Sequence, residues 1–228
     1  MPANRIVLWR HGQTAWNIEN RFQGHTDIPL NAVGEFQVKH AAAILEGMNP
    51  SKIVSSDLGR AQQTAETLAT LVGLEVIIDP RLRETGGGLW EGQTVEDNRQ
   101  SHPEEFASWL NGSDEPAGLT GERRTEVAAR VTEAIHDGIK DASGTVVFVA
   151  HGGSIRCGLG SMLQLPLPLW PVLGGLANAS WSVLEKNHSG RWMLAEHNAG
   201  SIPEPVFGDD GEEQVDSPST KKGLWRSW

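Results

Sequence analysis

Short, almost continuously apolar segments recur along the chain and alternate with longer segments whose apolar residues are spaced as on one face of a helix. The apolar runs cover residues 5–9, 52–55, 74–79 and 145–150. Runs of this length, bounded by loop-forming residues, predict strands that are buried on both faces of a sheet. Between the runs, helices are predicted over residues 34–46, from Ser56 or Asp57 to Leu71, over 121–141 and over 154–163.

Glycines and small polar residues mark the predicted ends of these helices. Ser56 or Asp57 is placed to cap the second helix, and Gly73 to stop it. Gly47 is the C-cap candidate of the first helix, and Pro50 prevents its extension.

Alternating strands and helices predict an α/β fold, a three-layer α/β/α sandwich around a mostly parallel sheet. Residues 180–186 and 191–197 predict a hairpin that adds an antiparallel edge strand. In such sheets, functional sites lie at the carboxyl ends of the strands. Two of the three clearest strands run directly into His-Gly, at His11 and at His151.

Residues 1–200 are expected to form a single domain, because the composition changes after Asn198. Residues 201–228 are rich in Pro, Gly, Ser and acidic residues, and they predict an acidic, poorly structured tail. The tail ends with Leu224, Trp225 and Trp228, which are apolar enough to dock on the domain or on a partner.

The formal net charge of −10, from 19 basic and 29 acidic residues, argues against unassisted binding of nucleic acid. Most of this charge lies in two segments. Residues 91–115 hold seven acidic residues and one basic residue, and residues 201–228 hold six and three, which gives −6 and −3. The rest of the chain is nearly neutral, so an anionic substrate is not excluded.

The remaining composition favours a protein of the cytoplasm with no contact with the membrane. The one cysteine, Cys157, allows no internal disulfide. No apolar run approaches the roughly 20 residues of a membrane span, and the N-terminus does not resemble a signal peptide. The chain has no tyrosine, so tyrosine is excluded from every catalytic role.

The first strand ends in Arg10-His11-Gly12, followed by Thr14 and Asn17. A histidine at the end of a strand and beside an arginine can ligate a metal or act as a nucleophile. Arg10 offers paired donors suited to phosphate. Gly12 lets the backbone approach a ligand closely and is expected to leave amides free for an anion.

Three further segments carry candidate chemistry. Arg60 lies in the predicted first turn of a helix, where free amides and the helix dipole favour an anion. Glu84 follows the strand at 74–79, and a carboxyl in this position can serve as a general acid. Finally, His151 and Gly152 repeat the strand–His–Gly pattern late in the chain.

In this order, the four segments resemble the histidine phosphatase superfamily, also called the phosphoglycerate mutase-like family. The matching features are RHGxT at 10–14, DLxRAxxTA at 57–65, RLRE with a following WEG over 81–92, and HGG at 151–153. The resemblance covers about residues 5–200 and is specific for the superfamily, because several motifs agree in order and context.

The resemblance implies a role for each motif residue. His11 would be the nucleophile that takes the phosphoryl group, and Glu84 would protonate the leaving oxygen. His151, Arg10 and Arg60 would hold the phosphate. Further phosphate contacts are expected from Asn17, Gln23, Gly12 and Thr14, and candidate contacts to the rest of the substrate are His25, Arg83 and Gly152. Phosphoryl transfer depends on positioning and on neutralising oxygen charge, which these residues can supply without a metal or other cofactor.

The superfamily contains both phosphatases and mutases, and this chain resembles the phosphatases more. Phosphoglycerate mutases that use a bisphosphoglycerate primer usually carry an RF.GW.D stretch, whereas residues 21–27 read RFQGHTD, with Gln23 and with His25 in place of Trp. The region between Glu84 and the long helix at 121–141 is also short for a mutase. A phosphoglycerate mutase remains the alternative.

The segment at 173–181, LGGLANASW, and the opening stretch through Gln23 are similar to actinobacterial phosphatases that act on glucosyl-3-phosphoglycerate. The expected substrate is therefore this compound or a related small phosphorylated metabolite. Because such a substrate carries a carboxylate besides its phosphate, one further donor is expected, with His25 and Arg83 as candidates.

Two other classes of protein are weighed against this interpretation. A metal-dependent hydrolase could use His11, His151 and Glu84 as zinc ligands, although Arg10 and Arg60 would repel the cation. A non-catalytic protein that binds phosphorylated ligands is disfavoured, because a nucleophile and an acid are both present. Relatives are often dimers, so a homodimer is expected, and an edge that carries Trp181 and Trp192 is either its interface or part of the core.

Overall fold

The computed structural model describes residues 2–200, so the predicted tail at 201–228 and its tryptophans lie outside the described residues. The strands are β1 (Ala3–Arg10), β2 (Pro50–Ser55), β3 (Val76–Ile78), β4 (Gly144–Ala150), β5 (Trp181–Lys186) and β6 (Trp192–Ala199). The helices are α1 (Ala15–Ile18), α2 (Ala32–Glu46), α3 (Gly59–Val72), α4 (Val95–Ser101), α5 (Pro103–Leu110), α6 (Arg124–Lys140) and α7 (Gly152–Met162). Short 3₁₀ helices lie at Pro80–Leu82, Gly88–Trp90, Ala117–Leu119 and Leu167–Val172.

The six strands form one sheet in the order β3-β2-β4-β1-β5-β6. The first four are parallel, β5 is antiparallel to β1, and β6 is antiparallel to β5. The predicted mostly parallel sheet is confirmed, and the strand that runs against the others is β5, one position in from the edge.

Helices cover both faces of the sheet, which confirms the three-layer sandwich. On β1, Ile6 and Leu8 pack into a buried cluster that includes residues of α6 and α7. The alternate residues Val7 and Trp9 pack into a second cluster with residues of α2 and α3. This alternation follows from the two-residue period of a strand, which sends successive side chains to opposite faces.

A third buried cluster lies outside the two main cores and is largely aromatic. It contains Phe22, Trp90, Phe106, Trp109 and Ala117. The rings of Trp90 and Phe106 meet edge to face, with centroids 5.1 Å apart. Pairs of this kind contribute about 0.5–1.5 kcal/mol beyond their buried area. The short helices α4 and α5 therefore have a small core of their own.

Some sequence expectations are corrected. The predicted strand at 74–79 shortens to β3, whose Ile77 and Ile78 are 49% and 44% exposed because β3 is an edge strand. Trp181 is 2% exposed and pairs with Trp9 across the sheet, so it belongs to the core rather than to an interface. Among residues 2–200, no helix is long and apolar enough to cross a membrane.

Candidate active site

The two predicted catalytic histidines meet at the carboxyl ends of β1 and β4. These strands are parallel neighbours, with Arg10 in register with Ala150, so the residues that follow lie side by side. The ring centroids of His11 and His151 are 5.1 Å apart, and both residues are buried. A phosphate-sized ligand that reaches one ring would therefore also reach the other.

His11 has the protonation pattern of a nucleophile. Its Nδ1 lies 2.7 Å from the carbonyl oxygen of Gly12. Because a carbonyl can only accept, Nδ1 carries the ring hydrogen, and the lone pair of the neutral ring lies on Nε2. Burial, and next the positive charges of Arg60 and Arg10, hold the pKa of His11 well below its ordinary value of 6.5. The ring is therefore neutral at physiological pH.

His151 is fixed from both sides of its ring. Its Nδ1 accepts from Nε of Arg60 at 3.2 Å, and its Nε2 lies 2.9 Å from Oγ of Ser56. Since the guanidinium only donates, the ring hydrogen lies on Nε2 and points to Ser56. Burial, followed by the charge of Arg60, holds the pKa of His151 well below 6.5. Ser56, expected as a helix cap, instead orients this histidine.

The two predicted phosphate-binding arginines are buried beside these rings. Arg60 is 0% exposed and donates to the carbonyl oxygens of Thr26 at 2.8 Å and Gly24 at 3.0 Å. Arg10 is 2% exposed and donates through one terminal nitrogen to the carbonyl oxygen of Leu176. Its Nε is buried and has no hydrogen-bond partner within residues 2–200. A ligand oxygen can supply that missing acceptor.

The amino end of α3 is occupied by a carboxylate of the protein, contrary to the expectation of free amides there. The N-cap residue Leu58 makes no side-chain cap. Instead, both carboxylate oxygens of Asp27 lie 2.9–3.0 Å from the amide nitrogen of Gly59. Asp27 is also 3.9 Å from Arg60. The predicted cap by Ser56 or Asp57 is therefore wrong, because a residue remote in sequence supplies the acceptor.

Gly12 is required for packing rather than for a free amide. Its N–H donates to Oγ1 of Thr64 at 3.3 Å, so the predicted free amide is wrong. A Cβ on Gly12 would lie 2.6 Å from the carbonyl oxygen of Gly34, a distance that real Cβ atoms do not reach. Glycine at this position thus lets the loop after β1 pack closely against α2.

A polar network orients the amides of Asn17 and Gln23. Oδ1 of Asn17 accepts from the amide of Thr14 at 3.0 Å and from Nδ2 of Asn178 at 3.1 Å. The hydroxyl of Thr14 lies 3.1 Å from Oε1 of Gln23. Thr14 also forms the N-cap of α1. Because the oxygens of both amides are held inside the network, their NH₂ groups are the donors that a ligand could use.

The side chain of Glu84 lies at the amino end of α7, the helix that begins directly after His151. Its carboxylate accepts from the backbone amides of Gly153 at 3.1 Å and Ser154 at 2.9 Å. A third bond comes from the amide of Thr85 at 2.7 Å. The residue is 2% exposed. These contacts place the predicted acid at the start of α7, close to His151.

The remaining predicted contacts lie at the rim or at a helix end. Arg83 forms an ion pair with Asp57 at 2.6 Å, and this hydrogen bond lowers the pKa of Asp57 although burial opposes the change. Nε2 of His25 lies 2.9 Å from the carbonyl oxygen of Glu84, and its side chain is 38% exposed. Gly152 is the first residue of α7. A Cβ there would make ordinary contact with Arg10, at 3.4 Å.

Sequence reasoning missed four residues that hold the site, namely Ser56, Asn178, Glu122 and Arg130. One signal was available for Arg130, which lies between the buried residues Val127 and Val131 of α6. A charged residue next to the apolar face of a helix is positioned to reach inwards. The other three carry no local pattern of this kind.

The residues that a metal-hydrolase interpretation needs are engaged in protein hydrogen bonds. Both ring nitrogens of His151 have partners, and the Glu84 carboxylate bonds to amides. Over residues 2–200, no group of three or more His, Cys, Asp and Glu side chains is arranged to hold a metal ion.

Comparison with known proteins agrees with this geometry. The family model of the histidine phosphatase superfamily, branch 1, matches residues 6–199. A glucosyl-3-phosphoglycerate phosphatase of Mycobacterium tuberculosis (strain CDC 1551 / Oshkosh) is 41% identical over 218 residues, which cover 88% of this chain and 97% of that protein. A probable phosphoglycerate mutase of Enterobacter sp. (strain 638) is 37% identical over 71% of this chain and 76% of its own.

A solved structure gives the same result. A mycobacterial glucosyl-3-phosphoglycerate phosphatase, in complex with VO₃, superposes with a TM-score of 0.81 and 40% identity, covering 86% of this chain and 99% of that one. The chain therefore belongs to the histidine phosphatase superfamily, branch 1, and is a phosphatase.

Proposed function

We propose that this phosphatase hydrolyses a small phosphorylated metabolite through a phosphohistidine formed on Nε2 of His11, and that glucosyl-3-phosphoglycerate or a close analogue is its substrate. The observation that carries the proposal is the hydrogen bond from Nδ1 of His11 to the Gly12 carbonyl. It leaves the lone pair on Nε2 of a buried, neutral ring beside two arginines.

The first step transfers the phosphoryl group to the enzyme. The Nε2 lone pair of His11 attacks phosphorus, and the bond from phosphorus to the ester oxygen breaks. The departing oxygen takes a proton from the carboxyl of Glu84. Arg10 and Arg60 donate to the phosphoryl oxygens, whose charge they neutralise as the bonds rearrange. The Nε2–H of His151 exchanges Ser56 for a phosphoryl oxygen when the substrate binds.

The second step returns the enzyme to its starting state. Glu84, now a carboxylate, takes a proton from a water molecule whose oxygen attacks phosphorus. The bond from phosphorus to Nε2 breaks, its electron pair returns to His11, and inorganic phosphate leaves. One carboxyl thus serves as acid and then as base, as general acid–base catalysis requires over a full turnover.

The substrate is proposed from the similar proteins and from the rim of the site. Relatives that are about 40% identical are glucosyl-3-phosphoglycerate phosphatases. The carboxylate of such a substrate needs a donor outside the phosphate site. Arg83 is held in an ion pair with Asp57, so we assign this contact to His25, whose partly exposed ring would exchange the carbonyl oxygen of Glu84 for the substrate carboxylate.

Phosphoglycerate mutase activity is the second candidate, because a probable mutase is among the similar proteins. A mutase must retain its phosphohistidine until the acceptor binds, whereas a phosphatase admits water. The ratio of phosphate release to phosphoryl transfer therefore separates the two.

We also propose a cytoplasmic enzyme that acts as a homodimer and has no nucleic-acid partner. Light scattering coupled to size exclusion measures the mass in solution. A monomeric mass at working concentration would contradict the dimer.

The test is a substrate panel with phosphate release as the readout. It includes glucosyl-3-phosphoglycerate, 3-phosphoglycerate and p-nitrophenyl phosphate, without added metal. We expect hydrolysis that is fastest for glucosyl-3-phosphoglycerate and that is abolished by His11→Ala. Retained turnover in that variant would contradict the nucleophile. Loss of activity in EDTA with recovery on metal addition would contradict the metal-independent reaction, and transfer faster than hydrolysis would favour the mutase.

A further inference from the structure

Arg130 of α6 holds the loop that carries Glu84. One terminal nitrogen of its guanidinium donates to the carbonyl oxygens of Arg81 and Arg83, both at 2.7 Å. The other donates to the carbonyl oxygen of Glu84 at 2.8 Å and to Glu122 at 2.7 Å. Nε donates to the second oxygen of Glu122 at 2.8 Å. All five N–H groups of the guanidinium are therefore used.

Glu122 holds the same loop through an amide. Its Oε2 accepts from the backbone N–H of Gly86 at 2.7 Å. Burial alone would raise the pKa of Glu122, but the hydrogen bonds from Arg130 and Gly86 outweigh it and hold the pKa below its ordinary value. The cation thus binds the carbonyls before and at Glu84, and the anion binds an amide just after it.

The backbone of Glu84 has little other support. The residue lies between the 3₁₀ helices Pro80–Leu82 and Gly88–Trp90, outside any strand or long helix. Apart from Arg130, the ring of His25 reaches its carbonyl oxygen, at 2.9 Å. Meanwhile the carboxylate must stay in line with the amides of Gly153 and Ser154. Its position therefore depends on Arg130 of α6 and on Glu122, which lies just before that helix.

We propose that Arg130 and Glu122 are a positioning pair that fixes the backbone of Glu84, so that its carboxyl can protonate the leaving oxygen. The inference rests on the proposed function, because it takes Glu84 as the acid. Neither residue touches the reacting atoms in this account, and both act through the loop at 81–86.

A misplaced catalytic acid slows the reaction by an amount that depends on the leaving group, whereas a general loss of stability slows all substrates equally. A p-nitrophenolate leaves without needing a proton, whereas an alkoxide leaving group needs one. Misplacing a catalytic group by about 1 Å can cost about 10²-fold in rate. The loss should therefore appear with alkyl phosphates and be small with p-nitrophenyl phosphate.

The experiment measures kcat and KM of the full chain on 3-phosphoglycerate and on p-nitrophenyl phosphate. The variants are Arg130→Lys, Glu122→Gln and Glu84→Gln. Arg81→Lys is the matched control, since the side chain of Arg81 lies on the same loop but pairs with Asp79 and Asp137 instead. Circular dichroism and thermal unfolding confirm that each variant is folded. If Arg130→Lys fails to fold, the isosteric Glu122→Gln carries the test.

We expect Arg130→Lys and Glu122→Gln to lower kcat/KM on 3-phosphoglycerate by about 10- to 100-fold. Their kcat/KM on p-nitrophenyl phosphate, which reports the transfer to His11 and not the later hydrolysis, should fall by less than about threefold, with Arg81→Lys like wild type. Equal losses on both substrates, or none on the alkyl ester, would overturn the positioning pair and leave the proposed function standing. If Glu84→Gln itself shows no dependence on the leaving group, the role of Glu84 and this proposal both fall.

Discussion

The arginines at the floor of the site and those at its rim are held in different ways. Arg10 and Arg60 lie at the floor, almost fully buried, and donate to backbone carbonyls and a neutral ring, while the carboxylate of Asp27 lies 3.9 Å from Arg60. At the rim, Arg83 and Arg130 each form a close ion pair, with Asp57 and Glu122. A paired arginine contributes little field at a distance, so the charge available to a phosphate comes from the floor.

This difference resolves the apparent conflict between a net charge of −10 and an anionic substrate. The acidic residues of segments 91–115 and 201–228 add to the total charge, whereas the described groups at the floor are the two arginines and two neutral histidine rings. The rim carboxylates of Asp57 and Glu122 form ion pairs with Arg83 and Arg130. The sign of the substrate is therefore set by the local arrangement of a few buried groups, and the total charge decides only what the whole surface repels.

The contrast between the arginines of the floor and those of the rim is tested most strongly by Arg60→Gln. This change removes a buried cation that contacts His151 and two backbone carbonyls. We expect kcat/KM for phosphomonoesters to fall by about 10³-fold, since a preorganised donor to the transition state is lost. Steady-state kinetics on the folded variant measure it. A loss below about tenfold would show that the floor does not depend on this charge.

Acid should destabilise the fold through the two buried histidines. Both have a pKa well below 6.5 in the folded state, whereas an unfolded histidine titrates near 6.5. Below that pH the unfolded chain takes up protons that the folded chain does not, so the free energy of unfolding falls, by at most about 1.4 kcal/mol per pH unit for each ring.

Urea unfolding between pH 7.5 and pH 5.5 (about one unit either side of that pKa) measures this effect. The wild type should lose more stability on acidification than His151→Gln, in which one of the two rings is gone. An equal dependence on pH in both proteins would contradict the buried, neutral state of His151.

A smaller loss of stability is expected from a change at the amino end of α3. Asp27→Ala removes the carboxylate that caps Gly59 next to Arg60. Loss of an N-cap costs about 1 kcal/mol of stability, and Asp27→Asn, which keeps an acceptor, should cost less. Thermal unfolding of the two variants provides the comparison. No loss for Asp27→Ala would show that the remote cap is unimportant.

The smallest effect is expected for Arg83→Gln, the rim counterpart of Arg60→Gln. Its ion pair with Asp57 is partly exposed, and such pairs contribute about 0–1 kcal/mol. We expect kcat/KM to change by less than about threefold. A large rise in KM for a carboxylated substrate, with p-nitrophenyl phosphate unaffected, would instead make Arg83 a substrate contact and break the distinction between floor and rim.

The parts that the sequence predicted are those set by local pattern. The apolar runs indicated β1 and β4. The rule that sites lie at the ends of parallel strands predicted that His11 and His151 lie close together. Their positions in the predicted elements also indicated Arg10, Arg60 and Glu84, and the resemblance to a family then gave each a role. In each case the residue and its signal lie within a few positions of one another.

The parts that the sequence did not predict depend on contacts between distant segments. Asp27 caps a helix that begins 32 residues later, and the amide of Gly12 is taken by Thr64. Arg130 reaches a loop 46 residues earlier. No local rule specifies which segment will supply an acceptor to an amide or a donor to a carbonyl, because the fold decides it. The exposure of β3 has the same origin, since its edge position follows from strand order.

The central claim is that the phosphoryl group passes through Nε2 of His11. Mixing enzyme with substrate, quenching in alkali within the first turnovers and mapping peptides by mass spectrometry detects the intermediate directly. The account predicts one phosphoryl group on the peptide that contains His11, with ³¹P NMR identifying the Nε2 isomer, and none in His11→Ala. Turnover without any phosphorylated His11, or with the group on another residue, would contradict it.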